Sequence, residues 1–204
     1  MLRVGLTGGI ASGKSEVSNR LAAHGAVVID SDVLARAAVA AGTEGFDHVV
    51  AAFGPSIVDP DGELDRSALG RAVFTDESAR RALESIVHPR VRARAAQLEA
   101  DAAALDPRAV VVHDIPLLIE TGQGGHFDVL VVVDAPDRTR LERLVRERGM
   151  DPDDAAARMG AQSTRSQRLE AADEVVDNAG ELTELDVRVD ALWRRLASAA
   201  GRTP

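Results

Sequence analysis

Gly8-Gly9-Ile10-Ala11-Ser12-Gly13-Lys14-Ser15 is the stretch from which the fold can be read. It fits the phosphate-loop pattern G-x-x-x-x-G-K-[ST] at every fixed position. Of the 24 Lys and Arg residues in this 204-residue chain, Lys14 is the single lysine. A compact ammonium on a flexible stem fits between two phosphates as a point charge, whereas a planar guanidinium is bulkier and wants a two-pronged acceptor. The flanks agree. Val4-Gly5-Leu6-Thr7 reads as a short apolar strand, and Ser15 to His24 as a helix with Val17 and Leu21 four apart and Gly25 just past its end. Strand, glycine loop and helix in that order turn main-chain N–H groups and the positive end of the helix onto a phosphate, with the Ser15 hydroxyl available to a Mg²⁺ shell. The reading is a nucleoside triphosphate site.

Further apolar runs lie at Val27-Val28-Ile29, Ala109 to Val112 and Val129 to Val133, with a weaker one at Glu174-Val175-Val176. Continuous β-branched runs suit strands covered on both faces, as in a parallel sheet. Helical patterns separate them at Ser67 to Asp76, Ser78 to Ala104 and Asp137 to Arg148, the last with Leu141, Leu144 and Val145 on one side. The alternation predicts an α/β fold of the P-loop NTPase kind, a doubly wound five-stranded parallel sheet. Between the second and third runs the chain is too long for a simple crossover, which predicts a helical insertion over 33–107. The nucleotide-binding core is then 1–32 with 108–204, and Gly201 to Pro204 is expected to fray.

Composition narrows the function. A net charge of −9 argues against general affinity for nucleic acid or anionic membrane, which rests on cationic fields. With no cysteine, disulfides, thiolate metal sites and a Cys nucleophile are excluded. A strand and phosphate loop so near Met1, and apolar runs too short to span a bilayer, predict a soluble cytoplasmic protein, monomeric or weakly self-associating.

In open α/β sheets ligands bind beyond the carboxyl ends of the strands. The second run stops at Ile29-Asp30-Ser31-Asp32 and the third at His113-Asp114. An aspartate there can hold Mg²⁺ or take a proton from an attacking hydroxyl, or it can simply cap a helix. Asp32 is assigned as catalytic base and Asp30 as a cap or supporting group. For Asp114 two roles stay open, water-mediated contact with Mg²⁺ or support of the Pro116 turn, and with Thr7 it is placed toward the substrate.

Thr7 to Ser15 followed by Ile29-Asp30-Ser31-Asp32 and Ala35-Arg36 resembles the opening of the dephospho-CoA kinase family. Asp61 to Arg66, Val73-Phe74, Ile86-Val87-His88-Pro89, Asp114 to Glu120, Gln162-Ser163-Thr164-Arg165 and Asp177 to Gly180 resemble it in order and approximate spacing. The resemblance implies transfer of the γ-phosphoryl group of ATP to the ribose 3′-hydroxyl of dephospho-CoA, with a helical substrate lobe and a mobile lid at about 149–168. It implies that Gly9, Ile10, Ala11, Ser12, Gly13, Lys14, Ser15 and Glu16 hold ATP, with Asn178 and Gly180 against its adenine. Metal falls to Ser15 by the phosphate-loop pattern and to Asp114 by its place at a strand end, where the resemblance itself requires no acid. Asp32, Arg36, His88 and Arg92 lie toward dephospho-CoA, although His88-Pro89 can equally end or kink a helix.

Charge supports the lid separately. Arg138, Arg140, Arg143, Arg146 and Arg148 share the helical pattern after Asp137, and Arg165 and Arg168 follow a Gly149-Met150-Asp151-Pro152 break. Most are expected on a solvated face with Glu142 and Glu147; Arg143 and Arg165 are assigned to phosphate contact during closure. Another small P-loop kinase, for a metabolite or nucleotide, is the alternative. A GTPase-type switch is excluded, because its N-K-x-D motif needs a second lysine.

Overall fold

The computed structural model describes residues 1–74 and 76–202. Thr75, inside the expected helix 67–76, and Thr203 and Pro204, in the expected fraying end, lie outside the described residues. β1 (Leu2–Gly8) runs through the glycine loop into α1 (Lys14–Ala23) and on to β2 (Val27–Asp30). Four helices follow: α2 (Ser31–Ala38), α3 (Glu44–Phe53), α4 (Arg66–Phe74) and α5 (Glu77–Leu105). Then come β3 (Val110–Asp114), β4 (Val129–Asp134), α6 (Asp137–Arg146), α7 (Pro152–Gly160), α8 (Arg165–Ala171), β5 (Glu174–Asp177) and α9 (Leu182–Ala199). The chain forms two compact units, Met1–Ile29 with the chain from Asp101 onward, and Asp30–Ala100.

The first unit is built on a five-stranded sheet of order β2-β3-β1-β4-β5. Its β1–β3, β1–β4 and β4–β5 pairs are parallel. The apolar runs explain it: Val110, Val111, Val112, Val131, Val132 and Val133 are all buried, so both faces of β3 and β4 need cover. On one face Val4, Leu6, Val112 and Val133 pack with Val17 and Leu21 of α1 and with Leu185, Val189, Leu192 and Leu196 of α9. α1 stops where its sequence says it should. Gly25 takes φ +98°, its N–H bonds to Ala22 O, and the Ala26 N–H reaches back to Leu21 O at 3.0 Å.

The register brings strand ends together. Leu6 is opposite Asp114, Gly8 opposite Val133, and Asp134 opposite Asp177. One edge of the sheet therefore gathers the glycine loop and three aspartates at the carboxyl ends of β1, β3, β4 and β5.

Asp30–Ala100 has its own core of Val39, Val49, Ile57, Leu64 and Leu69, against which Leu83, Ile86 and Val87 of α5 pack. Asp30 caps α2 by accepting the N–H groups of Asp32 and Val33 at 2.8 and 2.9 Å. His88-Pro89 does not end a helix: α5, 29 residues long, continues through it. A proline inside a helix costs ~3 kcal/mol, and the neighbouring Ile86 and Val87 offset this by packing into the core. α6 is shorter than expected. It stops at Arg146, so Arg148 is not on it, and the chain turns at Gly149 (φ +63°) with the Met150 N–H on Leu144 O. At the C-terminus Gly201 and Arg202 are hydrogen-bonded back to Ser198 and Ala197. No helix among the described residues is long and apolar enough to cross a membrane.

Candidate active site

The loop between β1 and α1 owes its shape to two left-handed residues. Ala11 has φ +61° and Gly13 φ +87°. For Gly13 this is cheap, whereas for Ala11 the Cβ makes it costly by ~1–2 kcal/mol. Alternating right- and left-handed residues turn successive N–H groups to one side, which makes an anion-binding concavity. The hydrogen bonds agree. The Ser12 N–H closes a turn on Gly9 O at 2.9 Å, while the N–H groups of Ala11, Gly13 and Ser15 have no acceptor among the described residues. Three open donors at a helix N-terminus have the geometry and the dipole that favour an anion such as phosphate.

Lys14, the first residue of α1, pairs with Asp114 at the end of β3. Asp114 is almost wholly buried and Lys14 largely so. Parallel pairing of β1 with β3 is what makes residues a hundred positions apart neighbours. Thr7 donates its hydroxyl to Pro116 O at 3.2 Å, so the turn after Asp114 is tied to β1 by a different side chain. Ser15 and Glu16 are exposed, and Glu16 pairs with Arg20.

The outer side of the loop is braced by residues from the other end of the chain. Asn178, 3% exposed, donates Nδ2 to Ser12 O at 2.7 Å. Arg143 donates to Asn178 O at 2.9 Å and to Ala11 O and Ser12 O at 3.3 and 3.5 Å. Gln162 accepts the Ile10 N–H at 2.8 Å. Ile10 and Ala11 also pack with Leu141, Leu144 and Val145 of α6 and Ala155 and Met159 of α7. Asn178 is thus committed to the loop itself, and Gly180 sits beside the Glu184 carboxylate at the start of α9.

The arginines divide differently from the sequence expectation. Arg140 and Arg168 are not on a solvated face: they are 3% and 4% exposed. Both guanidinium groups crowd Gly9, where a Cβ would lie 2.3 Å from Arg140 Nη1 and 3.0 Å from Arg168 Nη2. Arg140 pairs with Asp137 at 2.6 Å, and Arg168 donates to Ser163 O. Burial, and then the charge of Arg140, pull the Arg168 pKa down. Arg165, more exposed, forks onto Asp134 with Nε and Nη2 at 2.6 to 3.1 Å, and that hydrogen-bonded carboxylate raises its pKa.

Of the residues singled out in the sequence, the structure gathers Thr7, Gly9 to Lys14, Asp114, Arg143 and Asn178 around one loop. Asp32, Arg36, His88 and Arg92 belong to the second unit, all four with exposed side chains. Asp32 stands in the first turn of α2. Sequence reasoning missed Arg140, Arg168, Gln162 and Asp134. For Arg140 a signal existed: it is four residues before Leu144, on the face that the apolar pattern buries. For Gln162 and Arg168 none did, since their partners are over a hundred positions away.

The dephospho-CoA kinase family model matches residues 2–184. A dephospho-CoA kinase of Streptomyces avermitilis is 54% identical over 98% of this chain and 96% of its own length. One from Thermobifida fusca is 48% identical over 96% of each. A crystal structure from Thermus thermophilus superimposes with a TM-score of 0.80 at 33% identity, covering 96% of this chain and 97% of that one. With a loop built to receive phosphate and likeness running through both compact units, the chain belongs to the dephospho-CoA kinase family.

Proposed function

We propose that this chain uses ATP to phosphorylate the ribose 3′-hydroxyl of dephospho-CoA, giving coenzyme A and ADP. The carrying observation is the loop whose Ala11, Gly13 and Ser15 amides are open beside Lys14, in a chain matched by this family over residues 2–184. Family membership disfavours the alternative of another small P-loop kinase, since the Streptomyces avermitilis and Thermobifida fusca relatives are both dephospho-CoA kinases.

In this reading the 3′-oxygen attacks the γ-phosphorus, the bond to the bridging β,γ-oxygen breaks, and ADP leaves. Asp32 accepts the hydroxyl proton, a role worth typically 10²–10⁴ in rate. Lys14 leaves Asp114 for the phosphate oxygens, and the Ala11 to Glu16 segment cradles them. Arg165, swung from Asp134, meets the charge that develops on the transferring group, and Arg143 acts on the phosphates from the loop that it braces. Arg36, His88 and Arg92 serve dephospho-CoA, with Thr7 and Asp114 on the acceptor side, and Gly180 with the main chain of Asn178 borders the adenine while the Asn178 side chain holds the loop. The Ser15 hydroxyl and the Asp114 carboxylate are hard oxygen donors, few in number, and suit a Mg²⁺ ion that keeps waters and substrate phosphates as its other ligands. That ion supplies charge neutralisation on the β- and γ-oxygens when bound. The segment 149–168 serves as lid and the helical unit as substrate lobe, in a cytoplasmic monomer or weak homo-oligomer.

The test is incubation with ATP, Mg²⁺ and dephospho-CoA, products resolved by mass, with adenosine and AMP as control acceptors. A product heavier by one phosphoryl group with dephospho-CoA alone supports the reading; none, or equal transfer to the controls, overturns it.

A further inference from the structure

The second unit contains a cavity that the chemistry above leaves unused. It has a volume of about 370 Å³, within the range of small-molecule sites. Leu34, Ala37 and Ala38 of α2 form one wall, Gly45 at the start of α3 a second, and Arg90 and Arg94 of α5 the rim. The lining is mainly apolar for a reason visible in α2. This helix places Val33, Leu34, Ala37 and Ala38 among polar residues in an amphipathic pattern, yet none of its eight residues is buried. Leu34, Ala37 and Ala38 face the cavity instead of a protein core, and Val33 is exposed outside it.

The cavity is held open by specific contacts. The Thr43 hydroxyl donates to Ala40 O at 2.8 Å and accepts the Phe46 N–H at 3.1 Å, which fixes the turn from α2 to α3. Gly45 comes so close to α2 that a Cβ there would stand 2.0 Å from Ala38 O, a contact no other residue allows. At the rim the two arginines differ. Arg90 is engaged by Ile86 O at 2.8 Å, His48 Nδ1 at 2.9 Å and Glu44 at 3.5 Å. Arg94, one helical turn further on, is tied to no carboxylate among the described residues and is exposed.

A slot of methyl and methylene groups with one uncommitted guanidinium at its mouth selects a slender, weakly polar chain joined to an anion. Resting on the function proposed above, we infer that this cavity receives the pantetheine arm of dephospho-CoA, and that Arg94 contacts the diphosphate to which the arm is joined. The arm carries no ionised group and the diphosphate carries the charge, which matches the apolar wall and the free cation in that order. Arg90, already neutralised by Glu44, shapes the rim.

Three variants of the full chain test this. Ala37→Leu fills the slot from an exposed helical position where leucine is well tolerated. It should raise KM for dephospho-CoA about tenfold or more, with KM for ATP, kcat and Tm unchanged. With the methyl ester of ADP, an acceptor that has the adenosine diphosphate but no arm and is not the product leaving the donor loop, it should change nothing. Arg94→Ala should raise KM for dephospho-CoA and for the ADP methyl ester alike by about fivefold, and Arg94→Lys should restore most of it, because the charge returns without the fork. An unchanged KM for dephospho-CoA in Ala37→Leu overturns the assignment. Calorimetric titration with 4′-phosphopantetheine separates this from the function itself. Should the parent chain fail to phosphorylate dephospho-CoA, binding of that fragment that is lost in Ala37→Leu still supports the cavity, and absence of binding to the parent chain refutes it.

Discussion

Replacing Asn178 with alanine tests whether the loop after β5 reads the adenine or supports the phosphate loop. The side chain is buried and its Nδ2 gives Ser12 O its 2.7 Å hydrogen bond. Without it, Ser12 O keeps only Arg143 Nη1 at 3.5 Å, the outer limit of a hydrogen bond. Stranding a buried acceptor costs ~1–3 kcal/mol, and partial rescue by Arg143 favours the lower half of that range. For a chain of this size ~1–2 kcal/mol lowers Tm by roughly 2–8 °C. The freed Ser12 peptide can also rotate, and since the proposed phosphate cradle has the neighbouring Gly13 N–H aimed inward, most of the same energy should reappear in ATP binding. That is ~5- to 30-fold weaker affinity at 1.4 kcal/mol per decade. Scanning calorimetry measures the first effect, and titration with ATP and with GTP the second. A supporting role weakens both nucleotides by the same factor. A drop confined to ATP, with Tm unmoved, would mean that Asn178 contacts the base and that the bracing argument is wrong. Asn178→Asp should be worse still, because it sets a carboxylate oxygen against the Ser12 carbonyl.

Lys14→Ala should lower turnover by at least ~10²-fold, and Lys14→Arg comparably, because a fork cannot replace a point charge in that space; near-normal kcat in Lys14→Ala would refute the site. Asp32→Asn should leave ATP affinity within a few fold while reducing kcat by ~10²-fold or more, and parallel loss of both would mark Asp32 as a folding or metal residue. Gly9→Ala places a methyl against two buried guanidinium groups, so overpacking should cost ~1–3 kcal/mol, read as a lower midpoint in urea; an unchanged midpoint would show that Arg140 and Arg168 swing away freely.

How far the molecule could be read from its chain depends on the reach of each interaction. All five strands fell on the apolar runs, because buried parallel strands leave a local trace in composition. Helix ends were less visible. The stop at Gly25 is local chemistry and was legible, whereas the end of α6 at Arg146 depends on a turn closed by Met150 onto Leu144. His88-Pro89 can end or kink a helix by local rules, yet the helix expected from Ser78 to Ala104 runs through it as α5, with Ile86 and Val87 packed into the core. Within the site, Lys14 and its loop were plain from eight residues. The sorting of the arginines was not, since burial of Arg140 and Arg168 against Gly9 is a contact between opposite ends of the chain.

The sequence alone determined that a phosphate loop opens a parallel α/β sheet, and that lysine rather than arginine stands in it, because a local turn, a helix start and β-branched runs need no distant partner. Only the tertiary structure decided what surrounds that loop. Strand register carried Asp114 to Lys14, the packing of α6 and α8 brought Arg140 and Arg168 onto Gly9, and the turn after β5 brought Asn178 to Ser12. Such contacts join residues a hundred or more positions apart, and their energy exists only once the sheet has closed that distance.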